Sequence, residues 1–150
     1  MGMAMASFPS ALFLREAEVR RGLELMFAGQ AELTRAVEPI LASAKLGRAH
    51  QRALYFIGRH SDQTVGALLT RLGVTKQSLN RTLGELTERG LVEVRTGRDD
   101  RRQRLLRLTE NGRALEATLF EAMRERLASA YAKAGQQAVG GFWTVLEGLG

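Results

Sequence analysis

The chain has 150 residues, 45% of them apolar, and 22 Lys+Arg against 16 Asp+Glu give a net charge of +6. That length holds one domain or two closely packed lobes, and that charge points to a polyanionic partner, nucleic acid before an anionic membrane surface. The absence of Cys excludes disulfides, thiolate catalysis, Cys-ligated zinc and thiol redox sensing.

Residues 1–9 read as a flexible tail. From about Ser10 to Ala44 a long helix is predicted, because Leu12, Val19, Leu23, Met26, Leu33, Val37 and Ile40 recur at steps of three, four or seven. A small domain cannot cover so long a seam alone, so packing against a partner helix is expected. Pro39 is expected to kink the helix by removing one backbone bond. Gly47 breaks the pattern, and a second helix follows over Arg48–Arg59 with Leu54 and Ile57 inward.

His60-Ser61-Asp62 reads as a turn, and Thr64 caps a short third helix that reaches Leu72. Gly73 supplies a sharp turn, and Thr75 opens a fourth helix that ends at Glu88-Arg89-Gly90. Leu91–Arg95 and Gln103–Leu108 read as two strands around a polar loop. Thr109 caps a fifth helix towards Ala134, with Leu115, Leu119, Met123 and Leu127 on its buried side. Gly135 separates it from a last helix over 136–149 carrying Val139, Phe142, Trp143 and Leu146. The fold class expected is mostly α with a small β-hairpin.

The fourth helix carries the chemistry. At 100° per residue Leu79, Leu83 and Leu86 share a core face, while Gln77 and Arg81 point almost opposite with Asn80, Ser78 and Gly84 beside them. Arg can pair with guanine O6 and N7, and Asn or Gln with adenine N6 and N7. Thr75 and Lys76 stand at the helix start, where phosphate oxygens bind. The acidic residues Glu85 and Glu88 come only late. Helix, tight turn, helix is also the geometry of a DNA-binding motif.

The hairpin repeats the signal. Arg95, Arg98, Arg101, Arg102, Arg104 and Arg107 crowd it, opposed by Asp99 and Asp100. Arginines on a narrow protruding loop suit the minor groove, where negative potential is focused. Catalysis has little to stand on. His50 and His60 are the only histidines and match no helical metal pair, and no P-loop or Gly-x-Ser-x-Gly is present. Neither an enzyme nor a metal or cofactor is expected. No stretch approaches the ~20 apolar residues of a membrane span and the start lacks a basic n-region, so a soluble cytoplasmic chain is expected.

Thr64 to Val92, TVGALLTRLGVTKQSLNRTLGELTERGLV, with RDDRRQRLLRLTENG from Arg98 to Gly112, resembles the MarR family of transcriptional regulators. The matching wing pattern is Asp100, Arg102, Leu108-Thr109 and Gly112. The resemblance implies a winged helix-turn-helix lobe over residues 47–109, and a dimerisation lobe from 10–46 and 110–150. Interlocking first and last helices would then use Leu12, Val19, Leu23, Val139, Phe142, Trp143 and Leu146. It implies a homodimer on a palindromic double-stranded operator, acting as a repressor and released by a small aromatic or phenolic anion. The DNA-binding residues would be Thr75, Lys76, Gln77, Ser78, Asn80 and Arg81, with Arg98, Asp100, Arg101 and Arg102 in the wing. There Asp100 would orient Arg102. An effector pocket between the lobes would draw on Phe27, His50, Leu54 and Tyr55. Where many members have Gln and then an aromatic, this chain has His50-Gln51. The alternative function is a nonspecific architectural DNA binder.

Overall fold

Glu16 and Glu18 open the first long helix, where acidic side chains complement the helix dipole. In the computed structural model, which describes residues 11–150, helix α1 runs Glu16–Ala44. The tail expected at 1–9 lies outside the described residues. Leu12–Leu14 form a separate 3-10 turn, closed by an extended Arg15, so Leu12 is not a position of the long helix as expected. The helix continues through Pro39, forgoing one backbone bond.

The remaining elements are α2 (Arg48–Arg59), β1 (Gln63–Thr64), α3 (Val65–Leu72), α4 (Lys76–Glu88), β2 (Val92–Thr96), β3 (Arg104–Leu108), α5 (Glu110–Ala134) and α6 (Gln136–Glu147). The threonine caps hold as read: Thr64, Thr75 and Thr109 each accept a hydrogen bond from the backbone N–H three residues on. Gly73 and Gly90 take the left-handed conformation at φ 63° and 73°. The sheet exceeds the expected hairpin. It has three antiparallel strands in the order β1-β3-β2, with Gln63 opposite Leu106 and Val94 opposite Leu106 on the other side. β1 is two residues long, too short for any alternation to announce it.

Contacts divide the chain into two compact units, Met1–Ala36 and Val37–Gly150. In the first, none of the described residues is buried, and Val19, Leu23, Leu25 and Phe27 are exposed. The second holds the core: Val37 and Leu41 from α1, Ala53, Leu54 and Ile57 from α2, then Leu68, Leu79, Leu86, Val92, Leu106 and Leu119. Burying each such Leu or Ile contributes about 1.5–3 kcal/mol. Helix α6 has no fully buried residue; Phe142, Trp143, Val145 and Leu146 stay exposed. Tyr131 meets the rings of Phe142 and Trp143 edge-on and accepts a 3.0 Å hydrogen bond from Trp143 Nε1.

Two local fits fix the sheet against the helices. A Cβ at Gly112 would lie 2.0 Å from the Leu91 carbonyl oxygen, so only glycine lets the start of α5 reach the α4–β2 junction. That same carbonyl accepts the Thr109 N–H at 3.1 Å. Glu116 on α5 is a less comfortable neighbour. Burial raises its carboxyl above the usual range, with Arg59 pulling the other way. A carboxyl raised on folding adds stability below its unfolded pKa and loses that contribution as pH rises through the folded value. Glu116→Gln should therefore melt above the wild type at pH 7, with the gap closing by about pH 4. Equal melting temperatures at both pH values would refute the assignment.

Candidate nucleic-acid interface

The helix-turn-helix is built by α3, the Gly73 turn and α4. Leu79, Thr82, Leu83 and Leu86 bury one side of α4 at 0–6% exposure. Thr75, Lys76, Gln77, Asn80 and Arg81 are exposed on the other. Ser78 is half-buried and lines a crevice of about 40 Å³ with Ala49, Arg52, Leu72, Val74, Leu79 and Thr82. The Thr75 Oγ1 accepts the Ser78 N–H at 3.1 Å, leaving the other first-turn N–H groups directed outward. Arg81 makes no ion pair among the described residues. Free donors, a helix N-terminus and an apolar opposite face can together engage phosphate and base edges.

The β2–β3 loop is a tight, donor-rich tip. The Gly97 N–H donates to the Gln103 carbonyl at 2.9 Å, and the Gln103 N–H to the Asp100 carbonyl at 3.0 Å. Asp100 Oδ1 accepts the Arg102 backbone N–H at 2.9 Å and its Nε at 3.4 Å. The Arg102 side chain is still 94% exposed, so the carboxylate aims it without covering it. Arg98, Arg101 and Arg104 are exposed and lack ion-pair partners among the described residues.

Two of the six arginines are differently employed. Arg95 Nη2 reaches Glu93 at 3.1 Å. Arg107 grips Asp62 with both arms, at 3.1 Å from Nε and 2.6 Å from Nη2. The guanidinium holds the Asp62 carboxyl below its ordinary pKa. Asp62 has φ 65° and donates its N–H to Leu106 at 2.8 Å, so the turn before β1 is bolted to β3. Sequence reading missed this pair because its members lie 45 residues apart. Arg102→Ala should then weaken DNA binding at fixed salt more than Arg107→Ala, while changing stability by no more than about 0.5 kcal/mol, as for an exposed site. Indistinguishable losses in a titration would count against a wing finger.

The remaining expected residues are dispersed in character. Leu54 is fully buried in the core. Tyr55 is half-buried, its ring edge-on to Phe56 at 5.2 Å. His50 accepts the Gly47 N–H at Nδ1 and pairs with Glu85 through Nε2. Phe27 is 71% exposed in the first unit. Arg52, on the same helix as His50, donates to the Leu72 carbonyl at 3.2 Å. Val19, Leu23, Phe142, Trp143 and Leu146 are exposed in their respective units, and Val139 is half-buried. No group of His, Asp or Glu able to hold a metal occurs among the described residues, and none of their helices is long and apolar enough to cross a membrane.

Known proteins share this fold. The model of the MarR family matches residues 45–103. The HTH-type transcriptional regulator PetP of Rhodobacter capsulatus is 50% identical over 138 residues, covering 92% of this chain and 83% of that protein. Among solved structures, Staphylococcus aureus MarR in complex with salicylate and kanamycin superposes with a TM-score of 0.73 at 21% identity, over 93% of this chain and 95% of that one. A mutant MarR from E. coli complexed with operator DNA gives 0.68 at 21% identity, over 93% and 99%. These two likenesses concern the fold; the long match to PetP reaches further. With its exposed α4 face and arginine-rich hairpin, the chain belongs to the MarR family of winged helix-turn-helix, DNA-binding transcriptional regulators.

Proposed function

We propose that the chain is a cytoplasmic, sequence-specific repressor that binds a palindromic operator as a homodimer. One observation carries this reading. Gln77, Asn80 and Arg81 are exposed on the first half of a helix whose opposite face is buried in the core. Their donors are directional, which suits base edges rather than phosphate alone. Exposed apolar side chains on α6 and along α1 support a second copy as partner, since such surface is seldom left to water. Twofold symmetry would present two such helices to successive major grooves about 34 Å apart. A mobility-shift comparison of the chain's own upstream region with the same bases scrambled tests the proposal. Preference for the native order, with affinity falling steeply as salt rises, is expected. Equal affinity for both would leave a nonspecific architectural binder instead.

The proposed effector is a small aromatic or phenolic anion, a reading supported by the salicylate complex of the structurally similar Staphylococcus aureus protein. Of the expected residues in the second unit, Tyr55 has ring surface to offer, His50 is already engaged, and Leu54 would contribute only as a wall. A ligand at a hundred times its Kd raises stability by about 2.7 kcal/mol. Salicylate should therefore raise the melting temperature and release the operator in parallel. No shift at millimolar salicylate or 4-hydroxybenzoate would favour a ligand-independent regulator.

A further inference from the structure

Helix α4 has two halves with different employment. Residues Gln77, Arg81, Glu85 and Arg89 follow one another at steps of four along its surface. Four residues turn a helix through about 400°, so this ridge drifts about 40° per step. It therefore leaves the outward face at Gln77 and reaches the flank of the core by Glu85 and Arg89. There the ridge meets the corner between α1 and α2. Glu85 Oε2 lies 2.8 Å from His50 Nε2. Arg89 donates to the Ala44 carbonyl, and to the Lys45 carbonyl at 3.4 Å. Those are orphan carbonyls at the end of α1, where Lys45 takes φ 55°.

We infer that His50 and Arg89 are positioning residues for base reading: they fix the C-terminal half of the recognition helix to the α1–α2 corner and so set the angle at which Gln77 and Arg81 are presented. The inference rests on the proposal that this face reads bases. His50 suits the task because both ring nitrogens are used. The Gly47 N–H donates to Nδ1 at 2.9 Å, which leaves the proton on Nε2 to donate to the Glu85 carboxylate. The ring is only 15% exposed, which limits its freedom to turn, while the Glu85 side chain keeps one side to solvent. Its base is rigid: Ala53, Leu54 and Ile57 of the same helix are fully buried, and Gln51 Nε2 reaches Met123 Sδ of α5 at 3.3 Å. The clamp also occupies Glu85, whose carboxylate would otherwise stand one turn from Arg81 and compete with guanine for its guanidinium.

A loosened clamp would leave the phosphate contacts in number but blur the register of the base contacts. The test measures affinity for the native operator and for its scrambled form, across a salt series, with the full chain. His50→Leu, Glu85→Ala and Arg89→Ala should each lower the native-to-scrambled ratio about tenfold while leaving scrambled affinity and salt slope unchanged. The His50→Leu/Glu85→Ala double variant should lose no more than either single one, because both remove one link. Arg89→Lys, which keeps a donor, should recover part of the loss. Glu85 is half exposed, so Glu85→Ala tests the link even where His50→Leu fails to fold. An unchanged ratio in Glu85→Ala and Arg89→Ala, equal loss on both DNAs, or additive losses in the double variant would overturn the clamp. A wild type that does not discriminate would instead overturn the base-reading proposal itself.

Discussion

Arg81→Ala is expected to weaken binding to the native operator by about 1–3 kcal/mol, roughly 5- to 150-fold, while binding to scrambled DNA falls far less. The guanidinium stands exposed on the first half of α4, and no described carboxylate neutralises it. Its planar fork can meet guanine O6 and N7 together, which an ammonium cannot do. Arg81→Lys is therefore expected to restore scrambled affinity and salt slope but not discrimination. Fluorescence anisotropy with both DNAs at one salt concentration decides the matter. Equal losses on the two would mean that Arg81 serves a phosphate, and base reading would have to move to Gln77 and Asn80.

The second large effect concerns stability. Gly112→Ala should cost about 2 kcal/mol, within the range for overpacking, and lower the melting temperature by roughly 4–8 °C. The clash is with backbone, since the added carbon would sit 2.0 Å from the Leu91 carbonyl oxygen. Backbone cannot rotate aside as a side chain can. Relief would require α5 to back away from the α4–β2 junction, breaking the 3.1 Å bond from Thr109 to Leu91. Gly84→Ala is the control: a Cβ there meets nothing within 4 Å, in a helix where alanine is the better former. Thermal denaturation of the two variants should move in opposite directions. A Gly112→Ala protein as stable as the wild type would show that this junction is looser than its geometry indicates.

How much of this was legible in advance depended on the range of the interaction. The caps at Thr64, Thr75 and Thr109 were readable because a hydroxyl and the N–H it accepts from lie three residues apart. The buried face of α4 was readable because Leu79, Leu83 and Leu86 keep helical spacing. Asp100 and Arg102 are near neighbours in sequence, and their pairing came with the wing motif. The start of α1 was misplaced, because Leu12 fits the apolar spacing although its backbone does not join the helix. Strand β1 was missed because two residues carry no period.

By itself the sequence determined the order of the long helices and of the two hairpin strands and the inward face of α4, and its wing motif carried the resemblance to the family. The elements and the buried face follow from local backbone preference and from the free energy of removing periodic apolar side chains from water. Only the tertiary structure decided which charged residues are free to meet DNA. Arg107 and Arg102 look alike in the sequence, yet one is spent on Asp62 and the other is exposed. His50 and Glu85, 35 residues apart, become hydrogen-bond partners only once the core packs α2 against α4. An ion pair or hydrogen bond needs angström proximity, and for residues distant in the chain that proximity is a product of the whole fold.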